Sequence, residues 1–110
     1  MVWWIKSHAH YGQFKQADFQ IRTAFFYVPV LIREGEPAVG ITISRKVGNA
    51  VVRNLLKRRI KAWTLAHAES IPSGFQFNLV AKSNAGELSW LDLCAQLSSL
   101  CATLQKRNLN

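Results

Sequence analysis

Hydrophobic and polar residues alternate along this chain in ways that predict several strands. Residues 21–32 are rich in β-branched and aromatic side chains, which is typical of a strand. Residues 38–45 alternate between apolar and polar positions and predict a second strand, and the Gly- and Pro-containing turn at 33–37 indicates a hairpin between the two. Residues 75–82 alternate in the same way and predict a third strand.

Two longer segments have helical periodicity. Asn49 is a favoured N-cap residue, and the pattern after it continues to about Glu69 without Gly or Pro. Residues 88–104 predict a second amphipathic helix, and a short helix is possible within 6–18. This order of elements predicts a two-layer α+β fold, and the length predicts a single domain over residues 1–110. The apolar positions of the first long helix that should face the core are Val52, Leu56, Ile60 and Trp63.

Apolar runs and cysteines bear on where the protein is found. No apolar run approaches the roughly 20 residues that span a bilayer, and the N-terminal residues do not resemble a secretory signal. Cys94 and Cys101 would lie about 10 Å apart on a helix, too far for a disulfide. We therefore expect a cytoplasmic protein with no membrane segment, whose cysteines pack as small apolar residues.

The positive charge is concentrated in one segment of the chain. Half of the 14 basic residues lie in the 17 positions of residues 45–61, and residues 37–68 contain no Asp or Glu. Arg53, Lys57 and Lys61 follow one another at i, i+4 and i+8, with no acid to offset their repulsion. This arrangement indicates a polyanionic partner. Nucleic acid is favoured over a membrane, because the large apolar side chains of the helix are needed against the sheet.

The loop before this helix adds a second indication. Lys46, Gly48 and Asn49 bring a glycine and a helix N-terminus together, where free backbone N–H groups favour a phosphate. Capping alone would also explain a Gly-Asn pair. The neighbouring Arg45 and Arg53 extend the hypothesis to a phosphate clamp.

The string from Gly40 to Lys61, GITISRKVGNAVVRNLLKRRIK, resembles the signature of the bacterial ribonuclease P protein component. In that family a strand leads into Lys-x-x-Gly-x-Ala-x-x-Arg-Asn-x-x-Lys-Arg-x-x-Lys/Arg on a helix. Residues 77–82 are similar to the strand that follows, whereas Leu55 stands where members often have another basic residue. The resemblance implies a two-layer αβββαβα fold with a small mixed sheet and a left-handed βαβ crossover.

The resemblance also implies a function. The protein would be a monomer that forms a 1:1 complex with the ribonuclease P catalytic RNA. This complex would be an endoribonuclease that removes the 5′ leader of precursor tRNA. The helix would contact the catalytic RNA, and a cleft between the first helix and the sheet would hold the single-stranded leader. The RNA-binding candidates are Arg45, Lys46, Gly48, Asn49, Arg53, Asn54, Lys57, Arg58 and Lys61. The leader-cleft candidates are aromatic residues that could stack on bases, namely Phe14, Phe19, Phe25, Phe26 and Tyr27.

The sequence contains no recognisable protein active site. Its six carboxylates are dispersed, and His8-x-His10 is a weak metal signal. We therefore expect no catalytic or metal-ligating residue in the protein, and Mg²⁺ held mainly by the RNA. One alternative is a general or ribosomal-type RNA-binding protein with no role in cleavage. Another is a stand-alone nuclease, which the lack of clustered acids argues against.

Overall fold

A computed structural model describes residues 1–108, which form a five-stranded mixed sheet and three α-helices. The predicted α+β class is therefore confirmed. The strands are β1 (Trp3–Trp4), β2 (Phe19–Arg22), β3 (Phe26–Ile32), β4 (Ala38–Thr42) and β5 (Phe75–Ala81). The helices are α1 (His8–Gly12), α2 (Ala50–Ala66) and α3 (Trp90–Asn108).

The strands lie in the order β1-β4-β5-β3-β2. β4 pairs in parallel with β1 and β5, and β3 is antiparallel to both β2 and β5. The predicted hairpin across residues 33–37 is wrong, because β5 lies between β3 and β4. The turn instead bonds to the start of β5, where Arg33 N donates to Gly74 O and Gly74 N donates to Gly35 O, each at 2.9 Å.

The single strand predicted over residues 21–32 is also wrong, since the chain reverses at Thr23 and forms the antiparallel pair β2 and β3. The Thr23 hydroxyl oxygen accepts hydrogen bonds from the N–H groups of Phe25 (3.2 Å) and Phe26 (3.0 Å). These side-chain-to-backbone hydrogen bonds form a turn that ends β2, although the composition of residues 21–32 favours a strand throughout. The three strands between α1 and α2 agree with the order that the resemblance implied.

The helices follow their predicted positions with shifted ends. Asn49 Oδ1 accepts a hydrogen bond from Val52 N at 3.0 Å, which confirms the predicted N-cap of α2. α2 ends at Ala66, and a 3₁₀ turn occupies residues 68–70, so the helix is shorter than predicted. α1 and a following 3₁₀ turn at Gln13–Gln16 confirm the short helix predicted within 6–18.

The sheet has two differently covered faces. On one face, Phe26, Val28 and Val30 of β3 join the main core with residues of α2 and α3. On the other face, Phe14 packs on Leu31 in a smaller cluster beside α1. The buried residues that α2 contributes to the main core are Leu56, Ile60 and Trp63, while Val52 is half-buried at its margin.

Two further expectations concern the cysteines and the membrane. Cys101 is buried and Cys94 is half-buried, and both are free thiols, as expected from their spacing. Within residues 1–108 we find no helix whose length and apolar character would let it span a bilayer.

Candidate nucleic-acid interface

The basic residues of α2 lie at the protein surface without an acidic partner among the described residues; Lys57 and Arg58 are exposed, and Arg53, Arg59 and Lys61 are half-buried. The ion pairs within residues 1–108 join Arg33 to Asp18 and the N-terminal amine to Glu36, so none involves α2 or the turn before it. The side chains of the seven basic residues also make no hydrogen bond to the described part of the chain. These residues are Arg45, Lys46, Arg53, Lys57, Arg58, Arg59 and Lys61. An acid-free cluster of this kind attracts a polyanion.

Side chains of α2 line two neighbouring depressions. Arg53 and Lys57 border one of about 250 Å³ together with Ile41, which is near the end of β4, and Ile43, which follows β4. The other, about 550 Å³, lies along the exposed side of α2. Its lining residues are Val51, Asn54, Lys57, Arg58 and Lys61. The structure therefore brings together the α2 residues predicted to bind RNA.

The turn before α2 is fixed by close packing. Val47 is buried, and Gly48 has a φ of +158°, which side-chain-bearing residues rarely adopt. A Cβ atom on Gly48 would lie 2.9 Å from Val52 Cγ1. Gly48 is thus required for the turn to dock on α2, and Arg45 and Lys46 are exposed on that turn.

Asn49 serves first as a cap. Its side-chain oxygen is engaged by Val52 N, as described above, which leaves the exposed N–H groups at the start of α2 for an outside partner. Asn49 lies beside Gly48, where the phosphate clamp was predicted, but its acceptor atom is used within the helix, and the clamp stays a prediction.

Two of the five leader-cleft candidates lie on the sheet face that carries α1. Tyr27 is half-buried there, with the Arg22 guanidinium 4.6 Å from the centre of its ring. Phe14 is only 7% exposed and lies parallel to the His10 ring, with 6.4 Å between ring centres. The ring of Tyr27 is therefore accessible for stacking, whereas Phe14 is buried and packs in the small cluster beside α1.

The other three candidates lie elsewhere. Phe26 is 2% exposed and belongs to the main core on the opposite face of the sheet. Phe19 lies on that same face, edge-on to Phe75 at 5.9 Å and beneath the Arg107 guanidinium. Phe25 packs against the main core from the turn between β2 and β3. Alternation along β3 puts Phe26 and Tyr27 on opposite faces of the sheet, and all three of these residues pack in or against the main core and not on the face beside α1.

Sequence reasoning missed the polar residues of the α1 side. His10 Nε2 and Gln76 Oε1 are 2.8 Å apart, and Thr42 Oγ1 donates to Asn78 Oδ1 at 3.1 Å. In β5, Gln76 and Asn78 alternate with the buried Phe75 and Phe77. This alternation could have predicted that the second face of the sheet carries polar residues.

The family model described as Ribonuclease P matches residues 3–105. The chain belongs to the ribonuclease P protein family. The ribonuclease P protein component of Citrifermentans bemidjiense is 34% identical over 96 residues, which cover 86% of this chain and 82% of the relative. That of Helicobacter acinonychis is 32% identical over 107 residues, covering 81% of this chain and 69% of the relative. The resemblance inferred from residues 40–61 is confirmed.

Solved ribonuclease P proteins share the fold. The Staphylococcus aureus protein superposes with a TM-score of 0.80 at 23% identity, over 93% of this chain and 94% of that chain. The Thermotoga maritima protein gives a TM-score of 0.80 at 20% identity, over 88% and 93%. As a ribonuclease P protein component, the chain belongs to an endoribonuclease complex with a role in tRNA 5′ processing, and its partner is the ribonuclease P RNA.

The described part of this ribonuclease P protein contains no group of three or more His, Cys, Asp and Glu residues that could hold a metal ion. The predicted pair His8 and His10 has no third ligand there, and His10 is turned to Gln76. The candidate interface carries fixed positive charge and hydrogen-bond donors, which are groups that bind phosphates.

Proposed function

We propose that the basic face of α2 docks on the catalytic RNA of ribonuclease P, while the sheet face beside α1 receives the single-stranded 5′ leader of precursor tRNA. One protein binds one RNA in the cytoplasm, and the RNA carries out the cleavage with Mg²⁺ held mainly by its own phosphates. The observation that carries this proposal is the set of seven basic side chains in residues 45–61 that form no ion pair and no side-chain hydrogen bond within the described chain.

Neutralising phosphate repulsion is the main contribution of this face. RNA segments that converge on a cleavage site repel one another, and Lys and Arg side chains reduce that repulsion when they replace condensed counterions. Positioning the substrate beside the catalytic RNA removes part of the entropic cost of bringing the two together. Both effects favour substrate and Mg²⁺ binding without a catalytic residue in the protein.

Leader binding is supported by Tyr27 and Arg22. The ring of Tyr27 can stack on a base, and the adjacent guanidinium can contact the backbone phosphates. These interactions do not depend on base identity, which suits leaders of varied sequence. Gln76 and Thr42, on the same face, add hydrogen-bonding groups.

Reconstitution tests the proposal. A bacterial ribonuclease P RNA is mixed with precursor tRNA at low Mg²⁺, and 5′ cleavage is measured with and without the protein. We expect cleavage to increase with the protein and to increase less with Arg53→Ala/Lys57→Ala. No gain over RNA alone refutes the proposed role. Cleavage by the protein without RNA refutes the assignment of the chemistry to the RNA.

Leader recognition needs a second measurement. Affinity of the protein–RNA complex for leader-bearing precursor tRNA is compared with affinity for mature tRNA. We expect a preference for the precursor that Tyr27→Leu reduces, whereas Phe19→Leu, on the opposite face of the sheet, retains it. Equal affinity for the two ligands would instead favour a general RNA-binding protein.

A further inference from the structure

A cleft joins the N-terminal strand to the basic face of α2. It has a volume of about 460 Å³, within the range of small-molecule sites. The aliphatic part of its lining comes from the sheet edge at β1 and β4. Two aromatic residues and three lysines form the rest of the lining. The lining residues are Trp4, Ile5, Lys6, Tyr11, Val39, Ile41, Lys57 and Lys61.

Trp4 places an aromatic ring beside a positive charge in this cleft. Val39, its partner on β4, is buried, and Trp4 itself is half-buried. The Lys61 ammonium lies 5.4 Å from the centre of the indole ring, within cation–π distance. Trp3 turns the other way, and its Nε1 donates to Glu36 at 2.7 Å, which holds β1 in place. The ring of Trp4 is thus fixed beside a lysine of the RNA-binding face.

The floor of the cleft is fixed as well. β1 ends after Trp4, which leaves the edge of β4 open at Ile41. The Tyr11 hydroxyl accepts from Ile41 N at 3.1 Å and donates to Ile41 O at 3.4 Å, so it satisfies both backbone groups. Tyr11 approaches closely because Gly40 has no side chain, and a Cβ atom there would lie 2.8 Å from Tyr11 Cε1.

We propose that this cleft binds one unpaired nucleotide of the ribonuclease P RNA, with its base stacked on Trp4 and its phosphates held by Lys57 and Lys61. The inference rests on the proposed docking of α2 on that RNA and adds a base-binding site to a surface otherwise suited to phosphates. Charge decides the class of occupant: the described lining has three lysines and no carboxylate. Lys57 lines this cleft and both depressions along α2, so the three lie next to one another.

Affinity measurements separate base stacking from phosphate contact. Stacking on one aromatic side chain changes affinity by about 5- to 150-fold, so Trp4→Leu should weaken binding to a ribonuclease P RNA transcript by that amount. Its salt dependence should stay unchanged because no charge is lost, whereas Lys61→Gln should reduce the salt slope by about one unit. Trp90→Leu, a change of the same size on α3, should leave affinity unchanged.

Indole fluorescence gives a direct readout with conservative variants that keep the fold. We expect RNA to quench the fluorescence of the wild-type protein, and we expect most of this quenching to be lost in Trp4→Phe but kept in Trp90→Phe. Undiminished quenching in Trp4→Phe, or wild-type affinity in Trp4→Leu, overturns the base site. If Arg53→Ala/Lys57→Ala still weakens binding in that case, the docking of α2 stands. Absence of RNA binding by the wild-type protein overturns both.

Discussion

The salt dependence of RNA binding is the most direct measure of what the α2 face does. Replacing Arg53 and Lys57 by Ala removes two side chains that lie one turn apart and have no partner in the described chain. Like charges at i and i+4 repel, so removing this pair should stabilise the free protein by about 0.2–0.5 kcal/mol. The variant should therefore bind RNA less well while being at least as stable as the wild type.

The size of the binding effect follows from counterion release. Each phosphate contact contributes roughly 0.7–0.9 to the slope of log affinity against log salt, so losing two contacts should flatten the slope by about 1.4–1.8. Between 50 and 200 mM salt, this change lowers the salt-induced loss of affinity by about 10-fold. Equilibrium binding to a ribonuclease P RNA at four or five KCl concentrations, with thermal unfolding of each variant, measures both quantities.

A matched control separates specific contacts from net charge. Arg33→Ala/Lys106→Ala removes the same two charges from the turn after β3 and from α3. We expect this variant to retain the wild-type slope. An unchanged slope in Arg53→Ala/Lys57→Ala would remove both residues from the interface, and an equal change in the control would show that only overall charge matters.

Three further predictions concern stability. Gly48→Ala should destabilise the fold by about 1–3 kcal/mol because Gly48 has a positive φ and a Cβ atom there would contact Val52. Gly12→Ala, at a position with open space around it, should be neutral or slightly stabilising. Urea denaturation of the two variants measures both effects. Asn49→Ala should cost about 1 kcal/mol through the lost cap, while Asn49→Asp should keep the cap and weaken RNA binding by its negative charge, as denaturation and binding assays will show. Burial raises the pKa of Cys101 from 9.0 to about 11, so the folded state holds this proton more tightly than the unfolded state. The free energy of unfolding should therefore fall between pH 9 and 11, and more steeply in the wild type than in Cys101→Ala.

The fold was predictable where it depends on residues close together in the sequence. It was not predictable where it depends on which distant strands pair with each other. The cap at Asn49 and the period of α2 depend on neighbours within one helical turn, and both predictions were confirmed. The turn at 33–37 was also recognised, but its flanking strands do not pair, because β5 arrives from more than 30 residues away and lies between them. Gly and Pro signal a reversal of the chain without specifying which strand lies beside which.

The candidate site divides in the same way. The basic face could be identified because seven charges lie in one short segment, and the helical period fixes the relative positions of the five that lie on α2. The leader-cleft aromatics could not be assigned, because the sequence prediction missed the turn at Thr23 that separates β2 from β3. The cleft at Trp4 could not be predicted from the sequence for another reason. A two-residue strand has no period, and its contact with Lys61 joins residues 57 positions apart.

The division of α2 into two faces explains how a helix with so much uncompensated charge stays folded. Leu56, Ile60 and Trp63 are each at most 5% exposed, and burying a large apolar side chain stabilises a fold by about 1.5–3 kcal/mol. Repulsion between like charges one turn apart costs only a few tenths of a kcal/mol. The helix can therefore do without acidic partners, which would compete for Lys57 and Lys61 with the RNA phosphates proposed to bind there. An acid added to the exposed face of α2 should accordingly raise stability and lower RNA affinity together.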